Sequence, residues 1–547
     1  MLIPWTITTR PCASVIQRPA WPSGPCGAAA AEPAPSSVAA ATIASSLTLI
    51  DASRADDSGE PVSLRHVRRR RHLALAVACA VAGLATAAVP SAAGAPLRVR
   101  GTHLVDSQGR TVILHGVNVV YKPAPYLPAR TGPQRNRFDA RDVRRLRAWG
   151  FDAIRLGITW KALMPRPGVV NRAYLRRLLA VVRLAERGGL YVLLDMHQDE
   201  WSERFGGNGA PDWATLDDGI PFASLGPHPL NYFSQAVGRS FTNFYDDRGG
   251  IRTRFVGAWA AVARAVRGHG RVLGFDLFNE PSCELQVDPP CHLPPFADAY
   301  RRWILPLYSQ LIPALRRADP THPSAYEEGL QTDAGDPMLI GRPPLPRWPF
   351  AGTILSHHVY CTPLVRPGVP CPRQELDAFA QARAAVRRNR AAPLLTEFGA
   401  TDDLATLRRV ADLADAGGEG WLYWQYKTYG DPTTSASSGP GGADAESIVD
   451  TSGHVKAAKL GVLSRAFPER ISGSAAHWSY DDRTRQLRLR YVASRRADTV
   501  LVLPRALYPD GAGVEVLGGR RETTTDVRSG FALIRAAGRV SVRVAPR

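Results

Sequence analysis

Eight short apolar runs, most of them separated by stretches of helical periodicity and each stopping on polar or aromatic residues, leave few folds open to the middle of this chain. The sharpest is Leu273-Gly-Phe-Asp-Leu-Phe-Asn279-Glu280-Pro281. An apolar run broken off by a carboxamide, a carboxylate and a proline is how a buried parallel strand delivers polar groups to the mouth of a barrel and then stops. A second run, Leu394-Leu-Thr-Glu397-Phe-Gly399, also ends in Glu. An isolated Asn-Glu-Pro is no more than a capped strand end. Two carboxylates at two strand ends, however, are the pair that hydrolysis of a glycosidic bond needs.

Taken in order, residues 111–119 read as a first strand, and 138–150 as a helix with the stripe Val143, Leu146, Trp149 and a Gly cap. Residues 151–158, with Arg155, are the second strand. A helix over Arg172–Arg187 leads to the third, 191–199, which carries Asp195, His197 and Asp199. Strand alternation sends these three to one face. Their spacing is that of a metal-ligand cluster, yet sugar hydroxyls want the same groups and no metal is required. Residues 201–244 lack clear periodicity and hold Trp213, Phe222, Tyr232, Phe233 and Phe241. Long loops inside a compact domain are usually functional, so these rings either line an apolar acceptor groove or pack the loop onto the barrel. Helices over 252–267 and 296–318 flank the strand bearing Glu280. Residues 324–328, 353–360 (with His358 and Tyr360), 393–397 and 420–426 (with Trp424) supply strands five to eight. Alternating strands and helices of this length make a parallel sheet, and eight units close it, with a site at the carboxyl ends.

Beyond residue 468 the pattern turns to short alternating segments at 486–492, 499–503, 513–517, 531–534 and 540–544, which read as an antiparallel β-sandwich. The expected fold class is α/β: a (β/α)8 TIM barrel over 97–468 followed by a small C-terminal antiparallel β-sandwich domain over 471–547. The small domain either stabilises the barrel or binds membrane or glycan.

Residues 1–66, rich in Ala, Pro and Ser, read as a disordered or mis-assigned extension. Arg68-Arg-Arg-Arg71 then precedes the apolar stretch 73–89, and Ser91-Ala-Ala93 supplies small residues for cleavage. Residues 67–93 therefore read as a secretory signal peptide, with a single membrane anchor as the alternative. Because a signal begins a chain, the true start is expected near Val62 or Val67. Export suits the cysteines: Cys283 with Cys291, and Cys361 with Cys371, are expected to bridge locally beside strand ends, and their spacings match no Cys-x-x-Cys zinc pattern. The formal charge is +19, of which residues 471–547 supply fourteen Arg against seven acids, or +7. Arg is spread along alternating strands without a recognition motif, which argues against nucleic acid. A high-GC genome accounts for Arg in place of Lys; attraction to anionic headgroups or acidic glycans is the functional alternative.

His115-Gly-Val-Asn118, Ile154-Arg155-Leu156, Asp195-Met-His197-Gln-Asp199, Phe278-Asn-Glu280-Pro281, His358-Val-Tyr360, Thr396-Glu397-Phe-Gly399 and Trp424, in this order, resemble glycoside hydrolase family 5. The 195–199 motif, Val119-Val-Tyr-Lys122 and the all-β tail most resemble the endoglycoceramidases of that family. The resemblance implies a secreted retaining β-glycosidase with Glu280 as acid/base, Glu397 as nucleophile and no cofactor. It implies that Arg155 and Tyr360 keep Glu397 ionised, and that Asn279 donates to the sugar 2-OH. His197 and His358 would shape the pocket, Trp424 would floor it, and Asp195, Asp199 and Lys122 would bind sugar. The substrate implied is a glycolipid or oligosaccharide, with the glycan–ceramide linkage of glycosphingolipids foremost. Peripheral contact with a membrane surface is a further expectation. A cellulase-like endo-β-glucanase and a glucosylceramide or steryl-glucoside hydrolase are the alternatives within the family; a non-catalytic glycan- or lipid-binding surface protein is the alternative of another class.

Overall fold

The computed structural model describes residues 95–282, 284, 296–330, 345–361, 366, 368–434, 442–519 and 523–547. Three short strands come first: β1 (Arg98–Arg100), β2 (His103–Val105) and β3 (Thr111–Val112). Eight parallel strands then close a barrel: β4 (His115–Val119), β5 (Ala153–Thr159), β6 (Tyr191–His197), β7 (Val272–Asp276), β8 (Ser324–Tyr326), β9 (Ile354–Val359), β10 (Ala392–Phe398) and β11 (Gly420–Tyr423). Every residue of β5, β6 and β7 is buried, which is why these strands read as continuous apolar runs. Packing between β4 and β5 is close: a Cβ on Gly116 would lie 2.1 Å from the Ala153 carbonyl oxygen, so only glycine fits.

The helices start where the sequence offers caps. Asp139 and Asp142 form a reciprocal capping box on Ala140–Ala148, and the Asn171 side chain accepts from the N–H groups of Ala173 and Tyr174 to open Arg172–Arg187. Leu97, Leu104, Val112 and Leu114 cluster with Ala153, Tyr191, Leu193 and Ile354 at the amino ends of the barrel strands. That plug closes one end and leaves the carboxyl end for polar side chains.

Several expectations need correction. The run 111–119 is two strands, because Ile113 N–H donates to Glu469 O (3.0 Å) while the chain from His115 onward pairs within the barrel. All of 111–119 but the half-buried Thr111 is buried, so hydrophobicity alone does not show the break. The stretch 201–244 is not irregular throughout: Gln235–Tyr245 is a helix with nine of its eleven residues buried, which erases the polar face that periodicity relies on. Its rings pack inward, Phe241 lying 5.0 Å from Trp201 and 6.1 Å from Phe278. The helix over 296–318 contains a π turn at Tyr300–Ile304 before its last segment, Leu305–Ala318.

The tail adds β12 (Phe467–Ile471), β13 (Gly473–Asp481), β14 (Gln486–Ala493), β15 (Thr499–Val502), β16 (Ala512–Gly518), β17 (Thr524–Arg528), β18 (Phe531–Arg535) and β19 (Gly538–Pro546). They form a four-stranded antiparallel sheet, β13-β14-β19-β16, and a seven-stranded one, β1-β2-β3-β12-β15-β18-β17. A division between 468 and 471 therefore falls inside β12, and the three strands before the barrel belong to the tail's sheet. Cys361 and Cys371 are bonded, with Cα atoms 5.1 Å apart. The pair Cys283–Cys291, the extension and the signal stretch lie outside the described residues. Among the described residues no helix is long and apolar enough to cross a membrane.

Candidate active site

Arg155, on β5, is fully buried and ties the barrel mouth together. Its Nε donates to Asp276 Oδ2 (2.8 Å), its Nη2 to Asn279 Oδ1 (2.8 Å) and lies 3.0 Å from Asp195 Oδ1, and its Nη1 donates to Asn118 Oδ1 (3.3 Å) and to Glu397 Oε1. Burial favours a neutral guanidine, but the carboxylates of Asp195, Asp276, Glu397 and Glu327 outweigh it and keep Arg155 charged. Tyr360 O–H donates to the other oxygen of Glu397 (2.9 Å), and Asn118 holds the neighbouring Thr396 carbonyl (2.8 Å).

Glu280 stands just beyond β7 at φ +46°, a left-handed conformation that side chains rarely adopt. Its N–H donates to Glu327 Oε2 (2.9 Å), and Gln198 Nε2 donates to the carbonyls of Asn279 (2.8 Å) and Glu280 (3.1 Å). These bonds hold a turn that the backbone alone disfavours. The carboxyl is placed by His358, whose Nδ1 lies 3.1 Å from Oε1, and by Tyr232, whose O–H donates to Oε2 at 3.4 Å. One oxygen of Glu280, one of Glu397 and one His358 nitrogen lie within 4.8 Å of one another. The two carboxyls are buried but not sealed, at 7% and 4% exposure. The three ligand atoms are close enough together to hold a cation; the Arg155 guanidinium, in contact with Glu397, already supplies positive charge there.

Burial pushes both carboxyls above the usual range. The remaining charges act on both: Asp199 raises Glu280 while His228, His197 and Lys122 lower it, and His358 and Arg155 lower Glu397 while Glu280 raises it. Burial lowers His358 itself to about 3, so near neutrality the permanent charge beside Glu397 is Arg155.

A second cluster adjoins the first. His197 Nδ1 lies 2.8 Å from Asp195 Oδ2 and its Nε2 3.3 Å from Asp199 Oδ2; its ring stacks on Trp424 with centroids 5.3 Å apart. Burial opposes the charged ring, but the two aspartates raise His197 to about 9. Lys122 Nζ lies 2.8 Å from both Asp199 Oδ2 and Asp431 Oδ2, donates to Thr433 Oγ1 (2.7 Å), and sits 4.7 Å above the Trp424 ring. Trp424 Nε1 donates to Glu446 Oε2 (3.2 Å).

All eleven residues singled out for the site therefore lie in these two adjoining clusters. Those missed are Glu327, Tyr232, Gln198, Asp431, Thr433 and Glu446. Glu327 closes the fifth strand segment and was open to the same strand-end argument as Glu280. Tyr232 carried no signal beyond its aromatic ring.

A parallel barrel with two facing carboxylates and a buried arginine at its carboxyl end is the architecture of a carboxylate-dependent glycoside hydrolase. A cellulase (glycosyl hydrolase family 5) model matches residues 105–430, and a glycoside hydrolase family 5 C-terminal domain model matches 465–544. Endoglycoceramidase I of Rhodococcus hoagii is 30% identical over 468 residues, covering 82% of this chain and 88% of its own. An endoglycoceramidase of Cyanea nozakii is 28% identical over 447 residues, covering 76% and 85%. Among solved structures, endo-glycoceramidase II from Rhodococcus sp. in complex with ganglioside GM3 superposes with a TM-score of 0.64 at 25% identity, covering 82% of this chain and all of that one. The chain belongs to glycoside hydrolase family 5.

Proposed function

We propose that the protein is a retaining β-glycosidase that releases the glycan of glycosphingolipids, with Glu397 as nucleophile and Glu280 as acid/base. The observation that carries the chemistry is the close approach of the two carboxyls, with oxygens within 4.8 Å. Retaining enzymes hold their carboxyls about 5–5.5 Å apart and inverting ones about 6.5–9.5 Å. Glu397, held ionised by Arg155 and aligned by Tyr360, attacks the anomeric carbon while the proton on Glu280 passes to the departing oxygen. The glycosidic bond breaks and a glycosyl ester forms on Glu397. Forming the ester neutralises Glu397 and takes one negative charge out of the pocket, which favours the ionised form of Glu280; Glu280 then takes a proton from water, which attacks the same carbon and releases Glu397. Asn279 Oδ1 accepts from Arg155 and one of its N–H groups donates to Gln198 O (3.0 Å), which leaves its second N–H for a sugar hydroxyl. Trp424 offers its face to the sugar ring.

The glycolipid substrate is supported by the endoglycoceramidase relatives and by the ganglioside-bound neighbour. Export is supported by the signal-like stretch 67–93 and by the Cys361–Cys371 bridge, a bond characteristic of oxidising compartments. Incubating the enzyme separately with ganglioside GM3 and with a soluble β-glucan tests the substrate. Release of the intact oligosaccharide from GM3, first formed as the β anomer by NMR, is expected; turnover of the glucan alone sinks the reading. Glu397→Gln is expected to lower the rate by roughly a thousandfold or more.

A further inference from the structure

The four-stranded sheet buries one face and turns the other to solvent. Trp478, Tyr480, Leu487, Leu489, Val542 and Val544 point inward, so alternation and register fix the neighbours on the outer face. Arg488 stands directly opposite Arg543, and Arg539 directly opposite Val492. Arg490 lies between His477 on β13 and Ser541 on β19, and Ser541 faces Leu517 on β16. All four arginines are exposed.

Nothing in folding asks for this arrangement. Like charges directly opposed across an antiparallel pair destabilise it. Two arginines elsewhere in the tail are matched with acids: Arg528 with Asp526 at 2.7 Å, Arg535 with Asp498 at 2.6 Å. Arg488, Arg490, Arg539 and Arg543 make no ion pair among the described residues, and the acid opposite Arg543 in register, Glu515, makes none either. The same face carries Leu517 at 58% exposure and Val492 at 40%, two of the five large apolar side chains left exposed among the described residues.

Guanidiniums without an acidic partner, of which Arg543 donates to Gln486 Oε1 (3.3 Å), stand around a projecting leucine and have a natural counterpart in a phospholipid surface. Arginine forks match phosphate oxygens, their alkyl stems lie on apolar neighbours, and the leucine reaches toward the acyl boundary. A plane of headgroups can meet the outer face of a four-stranded sheet at several arginines at once. We propose that the outer face of the β13-β14-β19-β16 sheet is a docking surface for an anionic lipid bilayer, so that the enzyme works while held at the surface.

Full-length protein is sedimented with phosphatidylcholine vesicles, with and without phosphatidylserine, all free of glycolipid so that substrate binding plays no part. Binding is expected only with phosphatidylserine and is expected to weaken as salt rises. At about fivefold per arginine, Arg488→Ser, Arg490→Ser and Arg543→Ser together should lower the partition coefficient roughly a hundredfold. Leu517→Ser should remove the fraction that resists salt. Both variants should hydrolyse a soluble aryl β-glycoside at the wild-type rate, which shows that they fold. Vesicle binding that persists in the triple variant overturns the proposal, as does binding indifferent to phosphatidylserine. So does a wild-type protein retained by heparin but not by the charged vesicles. None of these results bears on whether GM3 is cleaved.

Discussion

Tyr232 reaches Glu280 from outside the eight strands, and its position gives the proposed acid/base a partner that ring stacking alone does not require. Its phenol, steadied by Gln198 Nε2 at 3.2 Å, donates to Glu280 Oε2 and so favours the ionised carboxylate. Removing that donor raises the pKa of Glu280. Tyr232→Phe is therefore expected to move the alkaline limb of the kcat/KM profile to higher pH by about half to one unit. The ring remains in place, so a limb that does not move assigns Tyr232 to packing alone. His197 makes a prediction of the opposite kind, about stability. With burial against it and Asp195 and Asp199 for it, its folded-state value is about 9, above the ordinary 6.5. The stability this group contributes is full below pH 6.5 and is lost as pH rises through 9. His197→Gln should thus melt below the wild type at pH 6, with the gap closing by pH 9.5 in thermal scans; a gap that holds constant across that range refutes the charged histidine.

Three separate loops meet at Lys122: the segment after β4, the end of β6, and the segment after β11 that carries Asp431 and Thr433. All these groups are buried, so the lysine holds the loops by charge instead of by apolar contact. Lys122→Met keeps the volume but strands Asp431 and leaves Asp199 only His197 as a cation at ion-pair distance, which should destabilise the protein by about 3–5 kcal/mol in urea titration. Adding Asp431→Asn should recover part of that loss, because one uncompensated charge is then gone; no recovery would mean that the lysine acts through packing. This is also the scale at which sequence reading stops. Strand ends are legible because an apolar run must break where its polar residues begin, and that rule found Glu280 and Glu397; the family resemblance supplied Arg155, Asp195, His197, Asn279, His358 and Tyr360, of which Arg155 and Asp195 lie within their strands. The rule stops short of Asp431, Thr433 and Glu446, which follow the last strand in a segment without periodicity and reach the site only through the path of the loop. The helix Gln235–Tyr245 escapes for the reverse reason: it has periodic backbone but hardly any exposed side to mark it.

At the scale of the whole molecule, the tail and the barrel are not two pieces placed side by side. β3 pairs with β12, which pairs with β15, so one sheet begins before the barrel and ends after it. The seam is chemical as well as topological. Arg465 is fully buried, with its guanidinium on Asp412, 3.2 Å from Asp415, and donating to the Tyr480 carbonyl at 3.2 Å, so two of its partners come from the barrel and one from β13. His115, at the start of the first barrel strand, is stacked between Trp421 at 4.2 Å and Phe467 of β12 at 3.7 Å. A chain ending at residue 468 would keep every residue of the candidate site and still lose the cover over Phe467 and Ile113, both of which lie in the tail's apolar cluster. Of that cluster only Ile113, Ala466 and Phe467 remain in such a chain, and uncovering them at about 25 cal/mol per Å² costs a few kcal/mol, a large share of the net stability of an ordinary domain. The truncated barrel is therefore expected to be recovered insoluble or without a cooperative melt, even though no catalytic group has been touched. If residues 95–468 instead give a soluble monomer with full activity on an aryl β-glycoside, the shared sheet is only an attachment, and the stability of the active site resides in the eight strands alone.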